Sequence, residues 1–319
     1  MDTPIIIRMK RQAMNCEFEL VLSGHDRQYL LDAGEEAFEE LARLEEQLSV
    51  FIPTSEISDI NAHASARPVK VDPRLFDLLA MAHGVSAETG GAFDVSAGPL
   101  VGRWTAGPEG FSLPTSEEIE QLLSKVGMEC VRLDDAEYTV AFDRPGMALN
   151  LGAIGKGYAV GEMVSLLRDR GIESGLVSGG SSTVYAIGHQ PDSDAWTVGV
   201  INPAERSERL TTVRLRDQAL STSGGHERFV EVDGVRYSHV IDPRMGYPAD
   251  DLLIASAVAS DPAESDALST AFLVLGIEGT REYCDSHADV GALLVPRPTP
   301  GAEIEIVRMG EWVNGRDGF

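Results

Sequence analysis

The strongest hydrophobic pattern in the chain lies between about Arg27 and Ser49, where apolar residues recur three or four positions apart. Acidic residues fill many of the positions between them, so apolar and acidic side chains separate onto opposite sides of a helix. The pattern predicts an amphipathic helix with one buried stripe, made of Leu30, Ala37, Phe38, Leu41, Leu44 and Leu48.

Capping residues mark the ends of further predicted helices. A polar cap satisfies free backbone N–H groups, proline is favoured at the first helical position, and glycine favours a helix end. The predicted helices run from Asp72-Pro73 to about Gly90-Gly91, over a short segment with Thr115 and Glu118 as a capping box, from Lys156 to Arg170 before Gly171, and from about Pro262 to Leu275 before Gly276.

Strand patterns occupy much of the remaining chain. The opening, roughly Ile5 to Ser23, and the stretch Met147 to Leu151 are predicted as strands, and a hairpin is predicted around Asp134-Asp135. Short strands dominate from Gly175 to Val240. Helices and strands are mixed without regular alternation, which indicates an α+β fold rather than a doubly wound sheet.

The composition restricts the classes of ligand. Fifty-one acidic residues against 26 basic ones give a net charge of −25, and 43% of the 319 residues are hydrophobic. A surface this acidic disfavours binding to nucleic acid or to anionic membranes. An anionic nucleotide would need local neutralisation by a metal ion, a lysine or a helix N-terminus.

Other features of the chain suggest a protein outside the membrane. The N-terminal segment has a three-residue apolar run, and no later stretch is long enough for a membrane span. From these features we expect a cytoplasmic protein. The odd number and wide spacing of Cys16, Cys130 and Cys284 argue against a disulfide framework or a zinc cluster.

A glycine-rich turn, LNLGAIGKGYAV, connects a predicted strand to a predicted helix. Gly152, Gly155 and Gly157 allow a sharp turn and close approach of a ligand, and Lys156 lies where the helix begins. The spacing does not match the P-loop, and it matches the dinucleotide fingerprint only loosely. Taken alone, the turn is as consistent with a structural corner as with an anion site.

Asp266 and Thr270 are four residues apart and therefore share one face of the last apolar helix. A carboxylate and a hydroxyl are oxygen ligands suited to Mg²⁺. A structural role is the alternative, with Asp266 complementing the helix dipole and Thr270 bonding to a backbone carbonyl. The apolar neighbours predict a buried helix, and a buried carboxylate requires a partner, which favours a metal.

Asp233-Gly234 predicts a two-residue hairpin turn that carries His239. The expected pairs on one face are Val232 with Val235, Val230 with Tyr237, and Arg228 with His239; Glu231 and Arg236 pair on the other face. His239 at the end of this face is consistent with a structural histidine or with a general base beside a cation.

Together these segments resemble the FAD:protein FMN transferase (ApbE) family, and the resemblance covers nearly the whole chain. Four segments in the family's order carry it: GGAFDVSAGPLVGRW, LNLGAIGKGYAV, STSGGHERFVEVDGVRYSHVIDPRMGYP and ESDALSTAFLVLG. The early QAMNCEFELVL and FIPTSEISDIN are also similar. The resemblance implies one domain over residues 1–319, with two intertwined subdomains as the alternative. The segment from Thr105 to Ser116 is rich in Gly, Pro and polar residues, which predicts a surface loop or flap.

The resemblance also implies specific roles for residues. His239 would be the catalytic base, and Mg²⁺ would be held by the carbonyl of Ala153 and the side chains of Asp266 and Thr270. FAD would be bound by Met14, Ala92, Phe93, Asp94, Asn150, Lys156 and His239. Asn150 stands where the family usually has Asp, Asn15 and Cys16 replace Gly and Thr, and Gly161 replaces a common Asp.

The implied reaction is Mg²⁺-dependent transfer of the FMN moiety of FAD to a Thr or Ser hydroxyl, with release of AMP. The expected partner is an acceptor with a Ser/Thr-Gly-Ala-Thr type motif, such as a redox flavoprotein subunit. Members of the family are often periplasmic or membrane-anchored. Two alternatives remain open at this stage: an FAD pyrophosphatase that gives FMN and AMP, and a non-catalytic FAD-binding accessory protein. A nucleotide-dependent dehydrogenase, which rests on the loose glycine pattern, is the weakest interpretation.

Overall fold

The chain begins with a hairpin in the computed structural model, which describes residues 4–105, 111–205, 207–225, 229–232, 234–299 and 303–314. Strands β1 (Ile5–Ala13) and β2 (Cys16–Gly24) pair in antiparallel register through their full length. Met14 and Asn15 form the turn, with φ angles of 49° and 60°. The prediction of strand from about Ile5 to Ser23 is therefore confirmed in both arms, and the turn at Met14 and Asn15 is the feature that it missed.

The helices agree closely with the capping and periodicity signals. Asp26, Asp72 and Asp261 each cap a helix by accepting backbone hydrogen bonds, and Thr115 with Glu118 forms the predicted capping box. All six predicted stripe residues of the first helix are buried. The helices are α1 (Arg27–Leu48), α2 (Glu56–His63), α3 (Pro73–Glu88), α4 (Gly98–Arg103), α5 (Ser116–Leu123), α6 (Gly155–Asp169) and α7 (Pro262–Ser286), with short 3₁₀ turns at Met128–Cys130 and Glu311–Asn314.

The predicted end at Gly276 is a kink inside α7. Gly276 has φ 68° and ψ −164°, outside the helical region, and helical backbone resumes beyond it as far as Ser286. Glycine adopts this conformation at little steric cost, so two helical segments can follow one another directly across the kink. The apolar segment before the kink is the part that packs deepest, with Ala267, Leu268 and Ala271 fully buried.

The remaining strands form one large antiparallel sheet and several small ones. The large sheet has the order β1-β2-β6-β7-β10-β15-β16-β17, whereas β8 pairs with β9, β11 with β12, β13 with β14, and β3-β5-β4 form a separate sheet. Their bounds are β3 (Val69–Lys70), β4 (Val131–Asp134), β5 (Thr139–Phe142), β6 (Gly175–Gly179), β7 (Thr183–Ile187), β8 (Trp196–Ile201), β9 (Arg209–Leu215), β10 (Gln218–Gly224), β11 (Phe229–Val232), β12 (Val235–Ser238), β13 (Ile241–Asp242), β14 (Tyr247–Pro248), β15 (Leu252–Ala259), β16 (Gly291–Pro296) and β17 (Val307–Gly310).

The two faces of the large sheet pack against different elements. One face carries α1, α6 and α7 over the main apolar core, to which Val177 of β6 and Ala219 of β10 belong. The opposite face carries the β8–β9 hairpin over a second core that includes Trp196 and Leu220. Adjacent residues of one strand point to opposite faces, so central strands such as β7, β10 and β15 contribute to both cores. The mixed helices and antiparallel sheets confirm the predicted α+β class.

The predicted strand from Met147 to Leu151 was wrong. Within the described residues its ladder pairing is a single parallel bridge between Ala97 and Ala148. The Asn61 side chain instead accepts from the Leu149 amide at 2.7 Å and donates to the Leu149 carbonyl at 3.0 Å. A side-chain amide thus satisfies backbone groups that a neighbouring strand would otherwise satisfy.

Two further expectations concern the predicted surface loop and membrane-spanning segments. Of the predicted loop at 105–116, residues 111–115 are irregular, as expected, and residues 106–110 lie outside the described residues. No helix in the described part of the chain is long and apolar enough to cross a bilayer.

Candidate functional site

The glycine-rich turn before α6 packs directly against the start of α7. The Gly157 amide donates to Oδ2 of Asp266 at 2.9 Å, and Asp266 is 2% exposed. A Cβ atom at position 157 would lie 2.1 Å from the Pro262 carbonyl oxygen and 2.6 Å from Asp266 Cβ. Glycine is therefore required here for close helix contact, which brings the Asp266 carboxylate to the N-terminal end of α6.

Thr270 lies one helical turn beyond Asp266 and contacts a group of hydroxyls. Its Oγ1 is 3.0 Å from Ser223 Oγ on β10, and Ser223 Oγ is also 2.8 Å from Ser269 Oγ. Sequence reasoning missed Ser223 and Ser269. The hydroxyl-rich runs Ser221-Thr222-Ser223 and Ser269-Thr270 were the available signal, but nothing local indicated that the two runs meet.

The turn at residues 152–154 is ordered by its own polar contacts. Asn150 Oδ1 accepts from the Gly152 amide at 2.9 Å, and Lys156 Nζ donates to the Gly152 carbonyl at 3.2 Å. The backbone amide of Asn150 donates to the Val95 carbonyl at 2.7 Å, which joins this turn to the loop before α4. Ala153 lies between these contacts, in the turn that leads into α6, and is half-buried.

The loop containing Ala92, Phe93 and Asp94 is built around the Asp94 carboxylate. That carboxylate accepts from the Ser96 amide at 2.7 Å, from Ser96 Oγ at 2.6 Å and from the Met128 amide at 3.1 Å. Burial raises the pKa of Asp94 above its ordinary value, although the hydrogen bonds oppose this effect. Ala92 and Phe93 are each 1% exposed, so their side chains belong to the core, and their predicted contact with FAD stays a prediction.

His239 follows the hairpin that its sequence predicts. Val232 pairs with Val235, Val230 with Tyr237 and Glu231 with Arg236, which confirms the register. Arg228, the expected partner of His239, lies outside the described residues. His239 is exposed, whereas the preceding Ser238 is buried.

The segment around His239 is held against neighbouring elements on two sides. A Cβ atom at Gly225, just after β10, would lie 2.9 Å from Ser238 Oγ. On the other side, Trp104 Nε1 donates to the Gly246 carbonyl at 2.9 Å, and the Trp104 ring centroid is 5.7 Å from that of Tyr237. His239 therefore comes directly after a residue, Ser238, that packs against the end of β10. The same strand carries Ser223, which contacts Thr270.

Met14 occupies the β1–β2 turn at one end of α1. Its amide donates to Oε1 of Glu45, in the last turn of α1, at 2.7 Å. Phe51, three residues beyond that helix, is 82% exposed. Nothing in the sequence singled out Phe51, which lies near the same end of α1 as Met14. Single exposed apolar side chains are common on protein surfaces, so its exposure alone indicates no role.

The oxygen atoms around Asp266 fit a hard cation better than a soft one. The site offers one buried carboxylate and the Thr270 hydroxyl, and such oxygen donors suit Mg²⁺. Within the described ranges, no three His, Cys, Asp or Glu side chains converge. With few protein ligands, a Mg²⁺ ion would complete its octahedron with water and substrate phosphate.

Comparison with known families agrees with the resemblance in the sequence. A sequence model of the ApbE family matches residues 1–294. A FAD:protein FMN transferase of Klebsiella pneumoniae is 32% identical over 262 residues, 82% of this chain and 81% of its own. One of Treponema pallidum is 34% identical over 278 residues, 82% of this chain and 76% of its own.

Solved structures agree with the fold. The ApbE protein of Thermotoga maritima superposes with a TM-score of 0.88 at 28% identity, over 99% of this chain and all of that one. The flavin transferase ApbE of Vibrio cholerae superposes with a TM-score of 0.85 at 24% identity, over 98% and 99% of the two chains. At this lower identity the second comparison concerns the fold alone.

Proposed function

Because the chain belongs to the ApbE family, we propose that it transfers the FMN moiety of FAD to a Ser or Thr hydroxyl of an acceptor protein. AMP is the other product. The observation that carries the proposal is the contact between Gly157 and Asp266, which joins the N-terminal end of α6 to the carboxylate of α7. A pyrophosphate placed beside this junction would meet the positive end of the α6 dipole and Lys156.

The residues around Asp266 are suited to hold Mg²⁺ beside that pyrophosphate. Asp266, Thr270 and the Ala153 carbonyl would be its protein ligands, and Ser223 would orient the Thr270 hydroxyl through their 3.0 Å contact. When bound, the ion supplies Lewis-acid neutralisation of phosphate charge. This local arrangement lets a protein of net charge −25 accept an anionic substrate.

His239 is the proposed general base. Its exposed ring is accessible to an incoming hydroxyl, and it accepts the proton as the acceptor oxygen bonds to the FMN phosphorus. The bond between that phosphorus and the bridging oxygen breaks, and AMP carries away the electron pair. Positioning of the two oxygens in line is the chief task of the surrounding residues.

The remaining predicted contacts lie on the turn and loops around this site. Asn150 and Lys156 order the turn at 152–154, and the loop at 92–94 is joined to the same turn through Val95. Met14 and the exposed Phe51 offer a thioether and an aromatic face suited to a flavin ring. We propose that these residues bind FAD, with Ala92 and Phe93 acting through the shape of their loop.

The decisive experiment is mass spectrometry of an acceptor domain with a Ser/Thr-Gly-Ala-Thr type motif after incubation with the protein, FAD and Mg²⁺. Transfer adds the mass of the FMN moiety to the domain and releases AMP. An acceptor whose motif hydroxyls are replaced by Ala and Val provides the control. Free FMN without protein-bound flavin would identify a pyrophosphatase, and tight FAD binding without AMP would identify a binding protein.

A further inference from the structure

A narrow groove of about 320 Å³ lies between the β8–β9 hairpin and the large sheet, on the sheet face opposite α7. Four consecutive residues of β8, from Val198 to Ile201, line one wall. Successive side chains of a strand point to opposite sides, so a wall made of consecutive residues is the edge of the strand rather than its face. The groove therefore meets the backbone of β8.

The floor of the groove is formed by the face of a strand rather than by a strand edge. It includes Leu220, Thr222 and Gly224, which are alternate residues of β10 and so belong to one face of that strand. Among the described residues, β8 forms ladder pairs with β9 alone. An unpaired strand edge beside a groove can accept an extended peptide as an added strand. Four residues of such a strand span about 13 Å at about 3.3 Å per residue.

The chemistry of the lining restricts the occupant. The described residues that line the groove comprise five with hydroxyls, three glycines and six aliphatics, and none is charged. This is unusual in a molecule of net charge −25. A charged segment would lose hydration there without gaining an ion pair, whereas a segment of small uncharged residues would not. The three glycines leave room for close backbone approach.

The groove and the candidate metal site lie on opposite faces of the same strand, β10. Thr222 and Gly224 line it, while Ser223 between them points to the other face and contacts Thr270. At the end of the same strand, Gly225 adjoins Ser238, and His239 follows. The end of β10, which borders the groove, therefore lies beside the segment that carries the proposed base.

We infer that this groove binds the acceptor protein, holding an extended uncharged segment next to the reacting hydroxyl as a third strand on the free edge of β8. The inference rests on the proposed transfer to a protein and specifies how that protein is recognised. Backbone hydrogen bonds supply affinity, and the uncharged, glycine-rich lining selects small residues.

Hydrogen–deuterium exchange of the FAD- and Mg²⁺-loaded protein tests this directly. The probe is a short uncharged peptide built on Ser-Gly-Ala-Thr, with its hydroxyl residues replaced by Ala and Val so that binding is independent of transfer. At saturating peptide, amides within residues 198–201 should exchange at least about tenfold more slowly. Unchanged exchange there, or protection confined to other strands, overturns the inference.

A substitution gives a second measurement. Ser178→Leu fills the groove from the neighbouring strand and should weaken peptide binding at least about tenfold, whereas Thr197→Leu, on β8 outside the groove, should not. Equal binding by both variants overturns the inference, as does a change in sedimentation showing that a second copy fills the groove. Exchange in the unsubstituted protein keeps the test independent of folding defects in either variant.

The experiments can disprove the proposed acceptor groove and the proposed transfer reaction separately. Protection of β8 by the peptide without any flavin transfer to an acceptor domain supports the groove and removes the proposed function. Transfer at an undiminished rate by Ser178→Leu, without β8 protection, removes the groove and supports the proposed function.

Discussion

The backbone amide of Gly157 donates a 2.9 Å hydrogen bond to Oδ2 of Asp266, which lies 109 residues further along the chain. The bond connects the first turn of α6 to α7. It gives a buried carboxylate one hydrogen-bond partner and directs it toward a helix N-terminus.

Replacing Asp266 by Asn should abolish Mg²⁺-dependent turnover while largely retaining the fold, because the amide keeps the shape and an acceptor oxygen but loses the charge. We expect the rate of flavin transfer to fall by about 100-fold or more. Glu278→Gln, which removes an exposed carboxylate from the same helix, is the matched control. Turnover that survives in Asp266→Asn at wild-type Mg²⁺ concentrations would exclude this residue from the metal site.

Replacing His239 by Gln should lower the transfer rate by about 10²- to 10⁴-fold, the usual contribution of a general base, and should leave FAD affinity close to wild type. Stopped-flow transfer rates and FAD titration separate the two effects. His63→Gln is the control, because His63 is also exposed and hydrogen-bonds to Asp59 in its own helix. A large loss of FAD affinity in His239→Gln would instead make His239 a binding residue.

Replacing Gly157 by Ala should destabilise the protein by about 1–3 kcal/mol, because the added methyl group collides with the Pro262 carbonyl at 2.1 Å. The matched control is Gly84→Ala in α3, where a Cβ atom meets nothing within 4 Å. That change should stabilise the protein by about 0.5–1 kcal/mol, since Ala favours helix more than Gly. Urea unfolding measures both, and equal effects at the two positions would contradict the close helix contact.

Replacing Ser223 by Ala should weaken apparent Mg²⁺ affinity by about tenfold or more, because Ser223 orients the Thr270 hydroxyl and outer contacts of this kind tune metal binding. The measurement is the transfer rate as a function of Mg²⁺ concentration. Thr280→Val is the control, since its hydroxyl bonds to the Gly276 carbonyl at the kink of the same helix. Identical Mg²⁺ dependence in Ser223→Ala and wild type would show that the contact is structural only.

The Cys284 thiol should make stability depend on pH in the alkaline range. Burial raises its pKa from 9.0 to about 11, so the folded state keeps a proton that the unfolded state has lost. The free energy of unfolding should therefore fall as pH rises from about 9 to about 11. Urea unfolding across this range should give a shallower decline in Cys284→Ala, and an unchanged slope would show that other groups cause the decline.

Local signals in the sequence predicted most helices and two hairpins correctly, one around Asp134-Asp135 and one at Asp233-Gly234. The apolar stripe of α1, the caps at Asp72 and Asp261, and the register from Phe229 to Ser238 depend on residues a few positions apart. Interactions at this range are present in the sequence itself, because backbone geometry fixes which neighbours share a face. The sequence also located the candidate metal pair, since Asp266 and Thr270 are one helical turn apart.

The structure was needed wherever distant segments satisfy one another. The strand predicted at Met147 to Leu151 is replaced by contacts with the Asn61 side chain, 88 residues away. Ser223 reaches Thr270 from a strand 47 positions earlier, and no local pattern indicates that contact. The groove beside β8 exists because the β8–β9 hairpin packs across the sheet instead of joining it.

By itself, then, the sequence predicted most of the helical segments, the candidate oxygen ligands and the candidate base, and indicated the family that the chain resembles. Only the tertiary structure decided that Gly157 approaches Asp266 closely enough to share a hydrogen bond. The physical reason is that burial and close packing depend on the sum of many long-range contacts. Such contacts form between surfaces, and a surface is complete only when the chain has folded.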